Sequence, residues 1–344
     1  MASSKTIQIG KVKIGGGNPV TVQSMTNTLT SDVATTVAQI KRLEEAGCQI
    51  IRVAVPDAAA ALAIKSIKKR IKIPLIADIH FNWRLAIMAI ENGADKIRIN
   101  PGNISNPEKL TEIITAAKRA KIPIRIGVNS GSLEKDILKK HGHPTAAALA
   151  ESLLRHVKFF EKHNFTNLVL AIKSTSVVDT IQAYRLIAKK TPYPLHVGIT
   201  EAGIPEIGII KSAVGIGALL AEGIGDTIRV SLTAEPEEEV RVAYEILRAL
   251  GLHRGGVEVI SCPTCGRQKG PVEKIAREIY LKTRHIKKPL KIAVMGCEVN
   301  GPGEAKEADI GVALGKTQAR LFRNGKITKK ITNKSVTKNI LKLI

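Results

Sequence analysis

Three cysteines and one glutamate in the C-terminal part of the chain have the types and spacing of a metal site. Cys262 and Cys265 form a Cys-x-x-Cys pair, 31 residues separate Cys265 from Cys297, and six more separate Cys297 from Glu304. Thiolates are soft ligands that bind zinc and iron–sulfur clusters, and the carboxylate adds a fourth ligand of another kind. The set therefore predicts a four-ligand metal site.

Short apolar runs precede both cysteine turns and would position them. The run 257–260 comes before the first turn and 291–295 before the second, so we expect both turns at the ends of adjacent strands. Both turns contain proline and glycine, as in Cys262-Pro263-Thr264-Cys265-Gly266. An open backbone of this kind leaves amide N–H groups free to point at sulfur, which favours a cluster over a single ion.

Upstream of these turns, short β-branched runs alternate with amphipathic segments of roughly 12 to 20 residues, the pattern of repeated βα units. The runs cover residues 20–24, 50–55, 75–80, 96–100, 124–129, 168–173, 195–200 and 228–232. Eight such units in about 230 residues predict an α/β fold of the TIM (β/α)8 barrel type. A doubly wound open sheet is the alternative, but no Gly-x-Gly-x-x-Gly follows the first run.

Polar residues at the carboxyl ends of the predicted strands indicate where the barrel binds its ligand, because these ends and the following loops form the site in such barrels. They are Gln23, Arg52, Asp78, His80, Arg98, Asn100, Arg125, Asn129, Lys173, Glu201 and Ser231. Four are cations, and an unpaired charge in a core costs on the order of three kcal/mol or more. A multivalent anion such as a diphosphate, which arginine binds bidentately, would compensate them. The alternative is internal ion pairs with Asp78 and Glu201. For His196 the pattern leaves a core role and a site role open.

A small α/β module follows the barrel. The acidic segment 233–240 predicts the start of the last barrel helix, ending near 250–251, and Arg254-Gly255-Gly256 marks the boundary. We therefore expect a barrel over residues 1–253 and a metal-binding α/β domain over residues 254–344. Its predicted strands lie near 257–260, 291–295, 309–314 and 320–323, with a helix at 272–280.

The composition restricts the protein class. The chain has 344 residues and a formal net charge of +23, but only 3% of its residues are aromatic, so stacking platforms for single-stranded nucleic acid are scarce. We interpret the basic surface as one that gathers anionic ligands and acidic proteins, not nucleic acid. No signal peptide or long apolar run is apparent, and three of the four cysteines belong to the predicted metal site. We therefore expect a cytoplasmic protein in a reducing compartment, with no membrane association.

Several motifs closely resemble the hydroxymethylbutenyl diphosphate synthase family of the methylerythritol phosphate route to isoprenoid precursors. The resemblance extends through nearly the whole chain, without the large central insert of plant-type members, and is greatest to the compact bacterial form. The motifs that carry it are residues 198–203, 211–217, 222–232, 262–267 and 296–304.

The resemblance implies a redox enzyme. It implies a [4Fe–4S] cluster held by Cys262, Cys265, Cys297 and Glu304, and a homodimer in which the cluster domain of one subunit covers the barrel of the other. The implied reaction opens and dehydroxylates 2-C-methyl-D-erythritol 2,4-cyclodiphosphate with two electrons, which a ferredoxin or a flavodoxin would supply. The product is (E)-4-hydroxy-3-methylbut-2-enyl diphosphate.

The same resemblance implies roles for the strand-end residues. Arg52, Arg98, Arg125 and Lys173 would hold the diphosphate, with Asn129 and Ser231 as neutral donors, while Asp78, His80 and Asn100 line the floor. Glu304 would be a ligand that gives up its place during turnover, and Glu201 would donate a proton to the leaving hydroxyl group.

Two other classes of protein remain open at this point. The first is a pterin-type transferase acting on a diphosphate ester, with a structural zinc at the Cys₃Glu site. The second is a nucleic-acid binder with a zinc-ribbon-like module, although a ribbon would need a second Cys-x-x-Cys and only one is present. The three-cysteine motif of radical SAM enzymes is absent from the sequence.

Overall fold

The computed structural model describes residues 3–104, 106–297, 299 and 301–344. The chain forms two compact units, one ending at Leu252 and the other running from His253 to Ile344. Each has a hydrophobic core of its own.

The first unit is built on an eight-stranded parallel sheet. Its strands follow the order β8-β7-β6-β5-β4-β3-β10-β9, and a parallel bridge between Leu170 and Leu195 closes the ring between β8 and β9. The strands are β3 (Thr21–Met25), β4 (Ile50–Ala54), β5 (Leu75–Asp78), β6 (Lys96–Ile99), β7 (Ile124–Asn129), β8 (Leu168–Lys173), β9 (His196–Val197) and β10 (Thr227–Ile228). The predicted barrel is therefore confirmed, and the doubly wound sheet is wrong.

Helices alternate with these strands and cover the outside of the ring. They are α1 (Val33–Glu45), α2 (Ala58–Lys68), α3 (Trp83–Glu91), α4 (Pro107–Ala120), α5 (Lys135–His141), α6 (Ala146–Lys162), α7 (Val177–Ala188), α8 (Pro205–Ala221) and α9 (Pro236–Ala249). Short 3₁₀ turns cover Pro101–Asn103 and Ser130–Ser132.

Local sequence signals set where these helices begin. Asp57 accepts a hydrogen bond from the backbone N–H of Ala60 and starts α2, and Ser176 accepts one from Asp179 and starts α7. Such caps satisfy amide groups that have no partner within the helix, typically worth about 1 kcal/mol each. The acidic first turn predicted for the last barrel helix is present in α9.

An antiparallel hairpin that precedes the barrel closes its amino-terminal end. Its strands are β1 (Thr6–Ile9) and β2 (Val12–Gly15). Ile7, Ile9 and Ile14 of the hairpin are buried in one cluster with three barrel residues, Ile50, Ile76 and Val169. The hairpin approaches Pro74 at Gly10 and Pro194 at Gly15, so it spans the bottom of the ring.

The second unit is a five-stranded sheet with helices packed against it. Strands β11 (Val257–Ser261), β12 (Leu290–Met295) and β13 (Ile310–Leu314) are parallel, and β14 (Gln318–Arg323) and β15 (Lys326–Thr332) continue antiparallel. The helices are α10 (Val272–Thr283), α11 (Gly301–Lys306) and α12 (Val336–Leu341), with a 3₁₀ turn at Asn333–Ser335. Strand β15 and helices α11 and α12 go beyond the elements predicted from the sequence.

Among the residues described here, no helix is long and apolar enough to cross a membrane.

Candidate active site

Five cations from four strands lie inside the barrel, and we call them the basic cluster. They are Arg52 on β4, Lys96 and Arg98 on β6, Arg125 on β7 and Lys173 on β8. Lys96, Arg98 and Arg125 are fully buried, Arg52 is 2% exposed, and Lys173 is half-buried. Branched apolar side chains normally fill the interior of such a barrel. This interior is therefore built for a ligand.

Asp78 on β5 is the carboxylate that partly neutralises the basic cluster. Its Oδ1 accepts a hydrogen bond from Arg98 Nη1 at 3.2 Å, and its Oδ2 lies 3.7 Å from Arg52 Nε. Burial alone would raise the pKa of Asp78, but Arg52, His80 and Arg98 together hold it well below its usual value. Asp78 is therefore ionised and pairs with two of the four predicted cations.

Arg125 and Lys96 are buried without such compensation. No guanidinium nitrogen of Arg125, and not the Nζ of Lys96, has a hydrogen-bond partner among the described residues. Burial lowers the pKa of both groups, and repulsion from neighbouring cations adds to the effect. A guanidinium stays protonated in proteins even so. Arg125 therefore holds a buried positive charge that an anionic ligand would compensate.

Lys173 lies at the carboxyl end of β8, and its charge depends on what is bound beside it. Burial, followed by repulsion from Arg52 and Arg98, lowers the pKa of Lys173 to about 5. At neutral pH its amine is therefore uncharged in the ligand-free barrel. An anion bound next to it would favour the protonated form.

Three residues of the site, Arg229, Met25 and Lys96, are not among those predicted from the strand ends. Arg229, just after β10, pairs with the buried Glu239 of α9 at 3.3 Å. Met25 Sδ accepts hydrogen bonds from Arg52 Nε at 3.1 Å and Nη2 at 3.0 Å, which fixes that guanidinium. The alternation of side chains along a strand could have identified Arg229, because residues two apart point to the same face and Ser231 is a predicted site residue. The same reasoning applies to Lys96, which lies two residues before Arg98.

The predicted neutral donors occupy different positions. Asn129 Oδ1 accepts a hydrogen bond from Arg98 Nη2 at 3.1 Å and so joins the basic cluster. Asn100 is buried, but its side chain binds its own loop: Oδ1 accepts from the Gly102 amide at 3.1 Å and Nδ2 donates to Ser132 Oγ at 2.6 Å. Asn100 therefore shapes the loop after β6.

The other predicted residues lie at different depths in the barrel, and Gln23, opposite Ile50 in the ladder, is not at a carboxyl strand end as predicted. Ser231 lines a cavity of about 30 Å³ together with Lys173, His196 and Arg229. His80 is half-exposed, with Nε2 3.5 Å from Asp78 Oδ2. Gln23 is buried, and its amide has no partner among the described residues. The structure thus brings Ser231 next to Lys173 and places His80 at the carboxylate.

His196, which the sequence left undecided, belongs to the polar interior. It is 5% exposed, and its Nδ1 is hydrogen-bonded to Thr227 Oγ1 on the adjacent strand. Burial, with repulsion from Arg125 and Lys96, lowers its pKa well below the usual range. His196 is therefore neutral and tied to the barrel wall.

Glu201 follows β9 and has an unusual backbone. Its φ is 52°, in the left-handed region that residues other than glycine rarely adopt. Its side chain is exposed and makes no hydrogen bond or ion pair within the described part of the chain. The structure therefore places an unengaged carboxylate at the carboxyl end of the barrel.

The two cysteine turns lie at the carboxyl ends of adjacent parallel strands, as predicted. Ser261, the last residue of β11, is opposite Val294 of β12, so Cys262 and Cys297 follow neighbouring strands. The Gly296 amide donates a hydrogen bond to Cys262 Sγ at 3.0 Å. A Cβ at Gly296 would lie 3.3 Å from this sulfur and 2.7 Å from Val272, so the close approach requires glycine.

The four predicted metal ligands differ in exposure. Cys262 and Cys297 are half-buried, whereas Cys265 and Glu304 are exposed. No three His, Cys, Asp or Glu side chains within the described ranges are close enough to hold one metal ion. Ligands of a four-iron cluster bind separate irons and so lie farther apart. The thiol donors, their shared sheet edge and the amide aimed at sulfur fit a cluster.

Comparison with known proteins identifies both units. The model of the GcpE TIM-barrel domain matches residues 4–244, and the model of the GcpE protein C-terminal domain matches residues 258–344.

Curated relatives match along nearly their whole length. One from Caldanaerobacter subterraneus is 61% identical, covering 99% of this chain and 96% of its own. Another from Thermodesulfovibrio yellowstonii is 56% identical, covering 95% and 94%. Both are named 4-hydroxy-3-methylbut-2-en-1-yl diphosphate synthase (flavodoxin).

Solved structures share the barrel fold alone. Yersinia pestis dihydropteroate synthase superposes with a TM-score of 0.52 at 12% identity, covering 72% of this chain and 100% of its own. An N-acetylneuraminic acid synthetase from Leptospira borgpetersenii has a TM-score of 0.51 at 16% identity, covering 73% and 90%. At such identities the likeness does not support the pterin-type transferase with structural zinc.

Proposed function

The chain belongs to the GcpE family, and on that premise we propose that it is an enzyme of isoprenoid precursor biosynthesis. It reduces 2-C-methyl-D-erythritol 2,4-cyclodiphosphate to (E)-4-hydroxy-3-methylbut-2-enyl diphosphate. The observation that carries this proposal is the basic cluster, in which the guanidinium nitrogens of the buried Arg125 have no hydrogen-bond partner among the described residues.

The reaction balances with two electrons and two protons. One C–O bond of the cyclic diphosphate breaks, and its oxygen remains on the diphosphate. One C–OH bond also breaks, and the hydroxyl group leaves as water after it gains a proton. The two electrons form the new carbon–carbon double bond. The second proton balances the negative charge that bond cleavage leaves on the diphosphate oxygen.

The barrel residues bind and orient the diphosphate. Arg98 and Arg52 are held in place by Asp78, and Arg52 also by Met25. Guanidinium groups fixed in this way lose little side-chain entropy when they bind a phosphate. Arg125 adds a positive charge that no hydrogen bond or ion pair with a described residue compensates, and Lys173 gains a charge when an anion binds beside it. Because opposite charge raises the pKa of Lys173, binding is coupled to uptake of a proton.

The proton for the leaving hydroxyl comes from Glu201. This carboxylate is at the carboxyl end of the ring, where the loops after the strands reach a ligand. General acid catalysis needs a group with such access, and its carboxylate has no competing partner among the described residues.

Cys262, Cys265, Cys297 and Glu304 would hold a [4Fe–4S] cluster. The bound cluster supplies electrons one at a time and a Lewis-acidic iron. Glu304 is on the short helix α11, and its carboxylate would be the most easily exchanged of the four ligands because thiolates bind iron more strongly.

The relatives' names support flavodoxin as the electron donor. A homodimer and a cytoplasmic location stay predictions. Sedimentation of the purified protein would test the first, and cell fractionation the second.

Metal content and turnover of anaerobically purified protein test the proposal directly. We expect about four irons and four sulfides per chain, and conversion of the cyclic diphosphate when dithionite supplies electrons. A Glu304→Ala variant should hold its cluster less firmly. One zinc per chain without iron, or cluster-loaded protein that leaves the cyclic diphosphate unchanged, would overturn it.

A further inference from the structure

The end of the second unit carries an unusual surface of positive charge. After Asp309 the sequence contains nine lysines and arginines and no acidic residue. All nine are exposed, and none forms an ion pair with a described residue. They are Lys316, Arg320, Arg323, Lys326, Lys329, Lys330, Lys334, Lys338 and Lys342. Elsewhere, exposed cations often pair with a neighbouring carboxylate, as Lys282 does with Glu278 at 2.7 Å.

Like charges face each other across the β14–β15 hairpin. Arg320 is directly opposite Lys330, and Arg323 is opposite Lys326. Such pairs destabilise a sheet, because like charges directly opposite each other repel. Lysines on the edge strand β15 are explained by protection against edge-to-edge aggregation. The arginines of β14 are not, because β14 lies between β13 and β15 and has no free edge.

One of these pairs, Arg320–Lys330, lies on the same face of the sheet as helix α11. Arg320 is paired with Ala313 of β13, and Ala313 is buried in a cluster with Met295 and Ala305. Ala305 follows Glu304 in α11. The Arg320–Lys330 pair therefore shares its sheet face with the helix that carries the proposed carboxylate ligand.

An exposed apolar residue adjoins the charged pair. Ile327 is 56% exposed and is opposite Phe322, which belongs to the same cluster as Ala305. An apolar contact beside charged groups suits transient protein association, in which charge speeds the encounter and a small contact allows release.

We propose that the α11-side face of the β14–β15 hairpin, centred on Arg320, Lys330 and Ile327, is the docking surface for an acidic electron-donor protein. The proposal rests on the proposed function, since a reductase needs a donor that approaches its cluster. A nucleic acid would call for exposed aromatic rings. The two aromatic residues after His253 are Tyr280, on α10, and Phe322, which is fully buried.

The test is the double charge reversal Arg320→Glu with Lys330→Glu. Both members of the pair change sign, so the like-charge repulsion stays the same and the hairpin should remain folded. The matched control is Lys65→Glu with Lys69→Glu, which changes the net charge equally. Both lysines are exposed at α2, and neither forms an ion pair with a described residue.

Turnover is measured with two reductants at low ionic strength. With reduced flavodoxin of strongly negative charge, we expect kcat/KM for the donor to fall at least tenfold, about the smallest effect of electrostatic steering. With dithionite the variant should match the parent within about twofold, with equal iron content. The control should behave like the parent with both reductants, and added salt should reduce the parent's flavodoxin rate most.

The outcomes separate the two proposals. An unchanged flavodoxin rate, or an equal loss in the control, would overturn the docking surface while dithionite turnover upholds the proposed function. No dithionite turnover in the cluster-loaded parent would overturn the proposed function and this surface with it. Binding of a single-stranded oligonucleotide that the reversal abolishes, with flavodoxin turnover intact, would assign the surface to nucleic acid instead.

Discussion

Glu201 combines an acidic side chain with a strained backbone at the mouth of the barrel. A non-glycine residue with a φ of 52° costs on the order of 1–3 kcal/mol, and such strain tends to persist where function requires it. The conformation fixes the direction in which the carboxylate leaves the strand end. Its neighbour in the next helix, Glu206, has an ordinary helical backbone.

Replacing Glu201 by glutamine should stop turnover without affecting the metal centre. The amide has nearly the same shape but cannot deliver a proton, and general acid catalysis typically contributes about a hundredfold or more. We expect a loss of this size in kcat with dithionite, and unchanged iron content. Glu206→Gln is the matched control. Full activity of Glu201→Gln would remove this residue from the mechanism.

The buried amine of Lys96 should lower the free energy of unfolding of the protein. Its amine is fully buried and has no partner among the described residues, and an unpaired polar group in a core costs about 1–3 kcal/mol. Lys96→Met, which keeps the length of the side chain, should therefore raise the free energy of unfolding by about that amount in urea titrations. The exposed Lys65→Met should change it by less than about 0.5 kcal/mol. A destabilised Lys96→Met protein would contradict the assignment of an unpaired amine.

At the scale of elements, the hydrophobic periodicity of the sequence predicts the repeated strands of the barrel but does not predict helix α11 or strand β15 of the second unit. All eight barrel runs are strands because β-branched residues and regular spacing agree there. Helix α11 could not be predicted, since Gly301-Pro302-Gly303 are poor helix formers. Its position comes from the packing of Ala305 on β13. Strand β15 reads as a solvated charge run, and only pairing with β14 makes it a strand.

The same limit applies to the site. Residues at strand ends, such as Asp78 and Lys173, could be found because the fold assigns function to those positions. Arg125, predicted on the same ground, is instead the second residue of β7 and lies toward the amino end of its strand. Lys96 is the first residue of β6, so a rule based on carboxyl strand ends does not select it. The ion pair between Arg229 and Glu239 joins a residue after a strand to a residue in a helix. The spacing of these two residues in the sequence does not predict that they are in contact.

Gly311 holds α11 against the sheet, which leads to a prediction for the metal centre. A Cβ added to Gly311 would lie 2.3 Å from the carbonyl oxygen of Ala305. Gly311→Ala should therefore push α11, with Glu304, away from β13. We expect fewer irons per purified chain and a lower melting temperature of the metal-free protein. Gly303→Ala is the control, because no atom of a described residue lies within 4 Å of its added Cβ. Normal iron content in Gly311→Ala would mean that α11 does not position the ligand.

Over the whole molecule, the buried bases predict how stability depends on pH. The folded-state pKa values of Lys173, Lys96 and His196 all lie below their usual values, chiefly because of burial. Between about pH 5 and the unfolded lysine value of about 10.4, the unfolded chain binds more protons. Stability therefore rises with pH, by about 1.4 kcal/mol per pH unit for each group titrating in that range.

Fluorescence of Trp83, the single tryptophan and a barrel residue, can follow this unfolding between pH 6 and 9. Lys173→Met should reduce the slope of the free energy of unfolding against pH by about 1.4 kcal/mol per pH unit, the value for one proton. Stability should still rise with pH. A stability that is flat or falls with pH in the parent would contradict the buried-base assignment. A slope unaffected by the substitution would show that Lys173 does not contribute.

The hairpin under the barrel determines by which end substrate and product enter and leave. With Ile9 and Ile14 packed against the bottom of the ring, the described residues close the polar interior at that end and leave it open at the carboxyl ends of the strands. Substrate and product share the diphosphate group and would compete for the same cations, so one cannot enter until the other has gone out the same way. Product should consequently act as a competitive inhibitor of the substrate. Release of product from the barrel can then limit the rate of repeated turnover.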